Sequence, residues 1–361
     1  KKNIFNLNQK IYYLLFFFLI SLLINLFFSV HFPTSLPRTI KIFFIIILIF
    51  EIQKIIQNYE KSYLKYVYLS WSIIFLFLSI DILFEIIFGH NILGSVSYIP
   101  GRISSFFGDE LVAGAFYHGF ALIFISYLIY KKSNNYYLIL IIIFVLGISF
   151  LIGERSNFIK LFISIILFLS LTTSINFKTK LFIIFVTMTL IVSTLYLNES
   201  YKLRYYDQVK SIFSKNGYSK FMKSSLYGVQ QDAAYKMFEE NFYFGVGLKN
   251  YRNEVRKKKY ENTEYIDTKK RFTTHPHQVH YEFLSETGIT GYFTFIIFIF
   301  SSLFLAIKSY LKTNNLYQLS GIIFVLTSIL PIIPSGSFFS TYSSSIFWIN
   351  FAIMCGYLRK N

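Results

Sequence analysis

The densest chemistry in the sequence lies in residues 274–291, Thr-His-Pro-His-Gln-Val-His-Tyr-Glu-Phe-Leu-Ser-Glu-Thr-Gly-Ile-Thr-Gly. Three of the six histidines, His275, His277 and His280, fall within six residues. Imidazole titrates near neutral pH, so a histidine here can take the proton of an attacking hydroxyl. The three rings also offer metal ligands, but the stretch lacks the His-Glu-x-x-His spacing of zinc enzymes. A core or capping histidine is the plain alternative. Pro276 can open a helix; His277, Tyr281 and Leu284 then share one face, with Glu282 and Glu286 paired on a neighbouring one.

Other polar groups are sparse. Arg102, in Pro-Gly-Arg-Ile-Ser-Ser-Phe-Phe-Gly-Asp-Glu (100–110), is a permanent cation just before an apolar run. Arg155, in Gly-Glu-Arg-Ser-Asn (153–157), stands in a very short turn between two apolar runs. A charge at such a boundary faces protein or a wet cavity, or else pairs with Glu154 or a lipid headgroup. Gly245 and Gly247, in Gly-Val-Gly-Leu-Lys-Asn (245–250), let a backbone turn tightly or approach a ligand, though most such pairs are only turns. Asp81 and Glu85 are spaced i, i+4 inside an apolar run, where a charge needs a partner; Arg102 or Arg155 would serve.

The elements that position these groups belong to a membrane protein. Hydrophobic residues make up 54% of the 361 and charged residues only 15%, more apolar surface than a soluble domain of this size can hide. About ten runs are long enough to span: 11–30, 40–56, 66–88, 111–130, 136–152, 158–174, 180–197, 288–307, 316–333 and 341–358. The first is too long for a signal peptide and reads as an anchor. With the N-terminus cytoplasmic, Lys and Arg concentrate in alternate loops, at Lys1, Lys2 and Lys10, Lys54, Lys61 and Lys65, Lys131 and Lys132, Lys178 and Lys180, Lys308 and Lys312, then Arg359 and Lys360. The opposite short loops hold far fewer. Both termini are then cytoplasmic, and Arg102, Arg155 and the long polar segment lie outside.

The expected architecture is all-α and polytopic. Residues 1–197 form a bundle of about seven spans, 198–287 a large external loop domain, and 288–361 a bundle of about three spans. Within the loop, Asp232–Glu240 reads as a short helix capped by Asp232. The single cysteine, Cys355, excludes an intrachain disulfide framework and a cysteine zinc site. The net charge of +17 is discounted as evidence for nucleic acid, because the Phe, Ile, Tyr, Asn and Lys content suggests an AT-rich genome and no basic recognition motif is present.

Together these motifs resemble the O-antigen ligase and O-antigen polymerase superfamily of bacterial envelope enzymes. That family carries a His-Pro-His-Asn-like stretch followed by Glu-x-Gly-x-x-Gly at the end of a large periplasmic loop. Here the stretch is His275-Pro276-His277-Gln278, then Glu286-Thr287-Gly288-Ile289-Thr290-Gly291. Residues 245–250 look like its Gly-x-Gly segment, Arg102 like its loop arginine and Arg155-Ser156 like its second outer arginine. Gln278 departs from the usual Asn. Ten spans are fewer than the family commonly has; with no initiator Met at Lys1, a missing N-terminal piece is the expectation.

The resemblance implies a glycosyltransferase of the bacterial inner membrane, acting on the periplasmic face among membrane lipids. It would move a glycan from an undecaprenyl pyrophosphate carrier to a hydroxyl of lipid A–core, or of another carrier-linked glycan if the protein is a polymerase. His277 is the expected general base, with His275 second and Glu286 orienting a histidine or capping the next helix. Arg102 and Arg155 would bind the pyrophosphate; Gly245, Gly247 and Gln278 are weaker substrate-binding candidates. No metal, cofactor or nucleic-acid partner is expected, and no Asp-x-Asp motif for a nucleotide-sugar metal occurs. A polysaccharide flippase or transporter is the alternative of another class, although neither internal repeats nor broken spans are visible.

Overall fold

The computed structural model describes residues 9–358 apart from 59–60, 100, 133, 174, 208–209, 211 and 266. Lys1, Lys2, Pro100, Arg359 and Lys360, used above, lie outside the described residues. The helices are α1 (Gln9–Phe27), α2 (Phe32–Asn58), α3 (Lys61–Phe88), α4 (Ala113–Tyr130), α5 (Asn135–Leu151), α6 (Arg155–Leu171) and α7 (Phe177–Leu197). They continue with α8 (Gly217–Ser224), α9 (Leu226–Glu240), α10 (Tyr251–Glu254), α11 (Val279–Thr313), α12 (Leu316–Ser328) and α13 (Thr341–Gly356), besides a few single turns. No strand occurs among the described residues.

Each of the ten apolar runs overlaps a helix, though residues 28–30 and 329–333 lie past the helix ends, and helix is the form in which a backbone in hydrocarbon satisfies itself. Among the described residues, four helices are long and apolar enough to cross a membrane: residues Tyr63–Phe88 of α3, then α4, α7 and α11. Shorter apolar helices occur at Ile11–Phe27, Tyr136–Leu151 and Leu316–Ser328. Side-chain caps start several of them: Asn134 accepts from Tyr136 N, Asn176 from Thr179 N and Ser340 from Ser343 N.

The chain forms two compact units. The first comprises residues 1–52, 209–313 and 329–361; the second, 53–208 and 314–328.

In the first unit, aromatic rings on α1, α11 and α13 make the core. Phe283 stacks on Phe295 at 4.0 Å between centroids, Phe18 lies 5.6 Å from Phe295, and Trp348 and Phe351 close the cluster. A satellite core of Ala233, Ala234, Met237, Val246, Tyr251, Val255 and Tyr260 gives the polar segment its own packing. Its helix α9 starts at Leu226 under a Ser225 cap, earlier than the expected Asp232 start. The Ser225 hydroxyl accepts the Gly228 N–H, and the register therefore sets in two turns upstream.

In the second unit α4 is central: 72% of its apolar window is buried, against 11% for α7. Tyr117 packs on Phe75 of α3 at 4.6 Å, and Ser126 hydrogen-bonds Ser320 of α12 at 2.7 Å.

Candidate active site

The histidine motif lies in the first unit, but its helix begins at Val279, not at Pro276. His277 precedes the helix and has φ +53°, the left-handed region. It therefore does not share a helix face with Tyr281 and Leu284, as the periodicity had suggested. Gln278 is what starts the helix: its Oε1 accepts the N–H groups of His280 (2.7 Å) and Tyr281 (3.1 Å). Its Nε2 donates to Pro331 O at 2.6 Å, so both ends of the buried amide are engaged within the protein.

The three histidines occupy different environments. His280 is bound at both nitrogens, Nδ1 to the Tyr292 hydroxyl (3.0 Å) and Nε2 to Ile329 O (2.8 Å). A carbonyl can only accept, so Nε2 carries a proton and its lone pair is not available there. His275 is buried, with Nδ1 2.9 Å from the Thr274 hydroxyl. Burial, aided by nearby His277, Lys249 and Arg252, pushes its imidazole down to about 2. His277 is half-buried, with its ring 4.0 Å from that of His275 and edge-on to Tyr227 at 5.9 Å. Among the described residues no group of three His, Cys, Asp or Glu side chains has metal-binding geometry.

The two carboxylates of the motif face inward. Glu282 accepts the Ser337 hydroxyl and the Phe338 N–H (2.7 Å), and Ser337 in turn accepts from Lys249 Nζ. Glu286 Oε2 accepts the Lys249 N–H at 2.7 Å, at the turn into α10. Lys249 is buried beside both; burial pushes its ammonium down while the two carboxylates pull it up.

The glycine motifs explain one another. Val246 and Gly247 donate backbone N–H groups to Ser285 O and Glu286 O, each at 2.9 Å. At Gly288, inside α11, the backbone leaves helical geometry (φ 64°, ψ −171°) and frees those carbonyls. A Cβ on Gly245 would sit 2.5 Å from the Glu286 carbonyl carbon, and one on Gly288 2.5 Å from Tyr243 backbone. The close approach allowed by these glycines is thus to the chain's own backbone. Asn25 of α1 completes the joint by donating Nδ2 to Glu286 O at 2.8 Å.

Both sequence-assigned arginines lie in the second unit, on adjoining loops: Ile103 N donates to Ile152 O at 3.0 Å. Arg102 Nη2 donates to Leu111 O (3.2 Å) and lies 3.8 Å from Glu154. Burial pushes the Glu154 carboxyl up, opposed by the Gly114 N–H, Arg102 and the Asn157 amide. Arg155 is the half-buried first residue of α6. The expected pairing of Asp81 and Glu85 with an arginine is not what the structure contains. Glu85 accepts the N–H groups of Ser104 (3.2 Å) and Ser105 (2.6 Å), while Asp81 accepts the Ile92 N–H (2.8 Å) and the Ser105 hydroxyl. Backbone donors satisfy a buried carboxylate without an opposite charge, and here they pin the Arg102 loop.

Sequence reasoning missed several groups. Arg252, five residues after Gly247, is half-buried near His275, with its Nε buried and lacking a hydrogen-bond partner. Lys249 was also passed over, and so were Ser335 and Ser337, which nothing local marks. The Lys after Gly-x-Gly-x was the one available signal.

Residues 138–296 match the O-antigen ligase family model, Wzy_C. The matched stretch includes Arg155, both glycines, all three motif histidines and Glu286, and leaves out Arg102. No curated protein matches the chain. That match, which takes in the His-Pro-His-Gln and Glu-x-Gly-x-x-Gly segments joined as described, supports the O-antigen ligase superfamily for this chain.

Proposed function

We propose that this protein is an O-antigen ligase-like glycosyltransferase of the bacterial inner membrane. About ten spans would leave both termini cytoplasmic and segment 198–287 periplasmic, as the distribution of Lys and Arg favours. The donor is a glycan on undecaprenyl pyrophosphate and the acceptor a hydroxyl of lipid A–core. The bond from the acceptor oxygen to the anomeric carbon forms on one face of the sugar. The bond to the pyrophosphate oxygen breaks on the other, its electron pair leaving with the phosphate, and the configuration inverts. The acceptor proton passes to the His277 imidazole.

The observation that carries this reading is the contrast between the histidines. His280 is bound at both nitrogens, and His275 is buried and held neutral far below neutral pH, a poor proton acceptor. His277 is less buried than His275, which packs against it as an orienting neighbour. Arg102 and Arg155 are assigned to the pyrophosphate, whose charge grows as it leaves. Arg252 and Lys249 supply further positive charge beside His275. Glu286, engaged by the Lys249 N–H, is assigned the shape of the site and not a proton transfer.

The test is a surface-glycan gel on a deletion strain of the native host, complemented with wild type or His277→Ala. Loss of all capped lipid A–core, with polymer remaining on the carrier, is the ligase outcome. Lipid A–core carrying a single repeat unit would reassign the protein as the polymerase. Undiminished capping by His277→Ala would remove the base assignment.

A further inference from the structure

We propose that residues 329–340, which join α12 to α13, form a clamp that sets the geometry of His277, with Gln278 and Glu282 as its positioning residues. This rests on the reading of His277 as the base. Four residues of the motif are tied to this one segment. His277 O accepts the Ser335 N–H at 2.9 Å. Gln278 Nε2 donates to Pro331 O at 2.6 Å, and His280 Nε2 to Ile329 O at 2.8 Å. Glu282 takes the Ser337 hydroxyl and the Phe338 N–H (2.7 Å). The Ser335 backbone also faces the His275 imidazole.

The clamp solves a local problem. A non-glycine residue at φ +53° does not hold that conformation unless its surroundings impose it. His277 stands just before the helix, and the Ser335 N–H on its carbonyl is what opposes other backbone states that would swing its ring away. Pro331 and Pro334 stiffen the segment that does the holding, and Lys249 fixes Ser337 from the other side. A base must sit within hydrogen-bond reach of the proton it removes, and a displacement of about 1 Å can lower turnover up to a hundredfold. Gln278, with both ends of its amide engaged, acts through His277 and does not touch the glycan.

The discriminating variants are Gln278→Glu and Glu282→Gln in the full-length protein in nanodiscs. Gln278→Glu keeps the acceptor for His280 and Tyr281 but places a carboxylate against Pro331 O. Glu282→Gln keeps the shape but turns one of the two oxygens that accept the Ser337 hydroxyl and the Phe338 N–H into a donor. The first readout is the ¹⁵N-histidine NMR spectrum, with the His277 signal assigned by its loss in His277→Ala. The second is transfer from a synthetic undecaprenyl pyrophosphate-linked glycan, read as kcat and KM separately. The clamp requires a displaced or broadened His277 signal in both variants, and a kcat about ten- to a hundredfold lower with KM within about twofold. An unmoved His277 signal would overturn the clamp whatever the activity. So would a fall in folded protein with kcat per folded molecule unchanged. Full transfer by His277→Ala would sink the base reading alone; the NMR signal would still decide the clamp.

Discussion

Gly245→Ala is the sharpest test of how the site is built. The new Cβ would lie 2.5 Å from the Glu286 carbonyl carbon and 2.6 Å from both Glu286 O and Gly288 N. All three are backbone atoms, so no side chain can swing aside. The φ of +66° adds a left-handed penalty of about 1–2 kcal/mol for an L-residue. Relieving the clash requires a backbone shift costing about 1–3 kcal/mol, for a total of about 2–5 kcal/mol. The shift also strains the Val246–Ser285 and Gly247–Glu286 hydrogen bonds, and through Glu286 the Lys249 turn. The assay is denaturant unfolding of the detergent-purified protein, followed by the fluorescence of Trp71 and Trp348. Gly147→Ala is the control: its Cβ meets nothing within 4 Å, and in a helix interior it should be neutral or stabilising by up to about 1 kcal/mol. A loss below about 0.5 kcal/mol for Gly245→Ala, the range of an indifferent surface change, would refute the backbone joint. It would return Gly245 to the list of groups free to approach a substrate.

Two further outcomes follow from the same contacts. Glu85→Ala leaves the N–H groups of Ser104 and Ser105 without their acceptor, at about 1–3 kcal/mol for each group left unsatisfied. The Arg102 loop should then loosen and trypsin should cut after Arg102 faster than in wild type; an unchanged rate would show that the loop is held otherwise. For His275, burial depresses the folded value to about 2 while the unfolded chain titrates near 6.5. The unfolded state therefore binds the extra proton. The stability contribution is complete above about pH 6.5 and is lost as pH falls toward 2, by at most about 1.4 kcal/mol per pH unit. His275→Asn should flatten that acid slope in a pH series of unfolding measurements, and an unaltered slope would place the titration elsewhere.

The all-helical class was readable in advance, because a backbone in hydrocarbon has few ways to satisfy itself. The motif residues were equally visible, since His-Pro-His-Gln and Glu-x-Gly-x-x-Gly are contiguous. Partners were not. Asp81 and Glu85 looked like half of an ion pair because charge is what a sequence displays, whereas backbone N–H groups, which every residue carries, are silent in it. The helical phase assigned to His277 failed for a similar reason. Pro276 is compatible with a helix start, but the actual start follows from Gln278, whose amide finds its second partner 53 residues away at Pro331.

The membrane class, the cluster of candidate chemistry and its superfamily were properties of composition and of short contiguous strings, and needed no coordinates. The different surroundings of the three histidines, why the glycines are glycines, and what holds the Arg102 loop depend on contacts between residues tens to hundreds of positions apart. Glu286 meets Asn25 across 261 residues of chain and Glu282 meets Ser337 across 55. Such pairings arise only when helices pack, since packing alone decides which buried donor lies within reach of which acceptor.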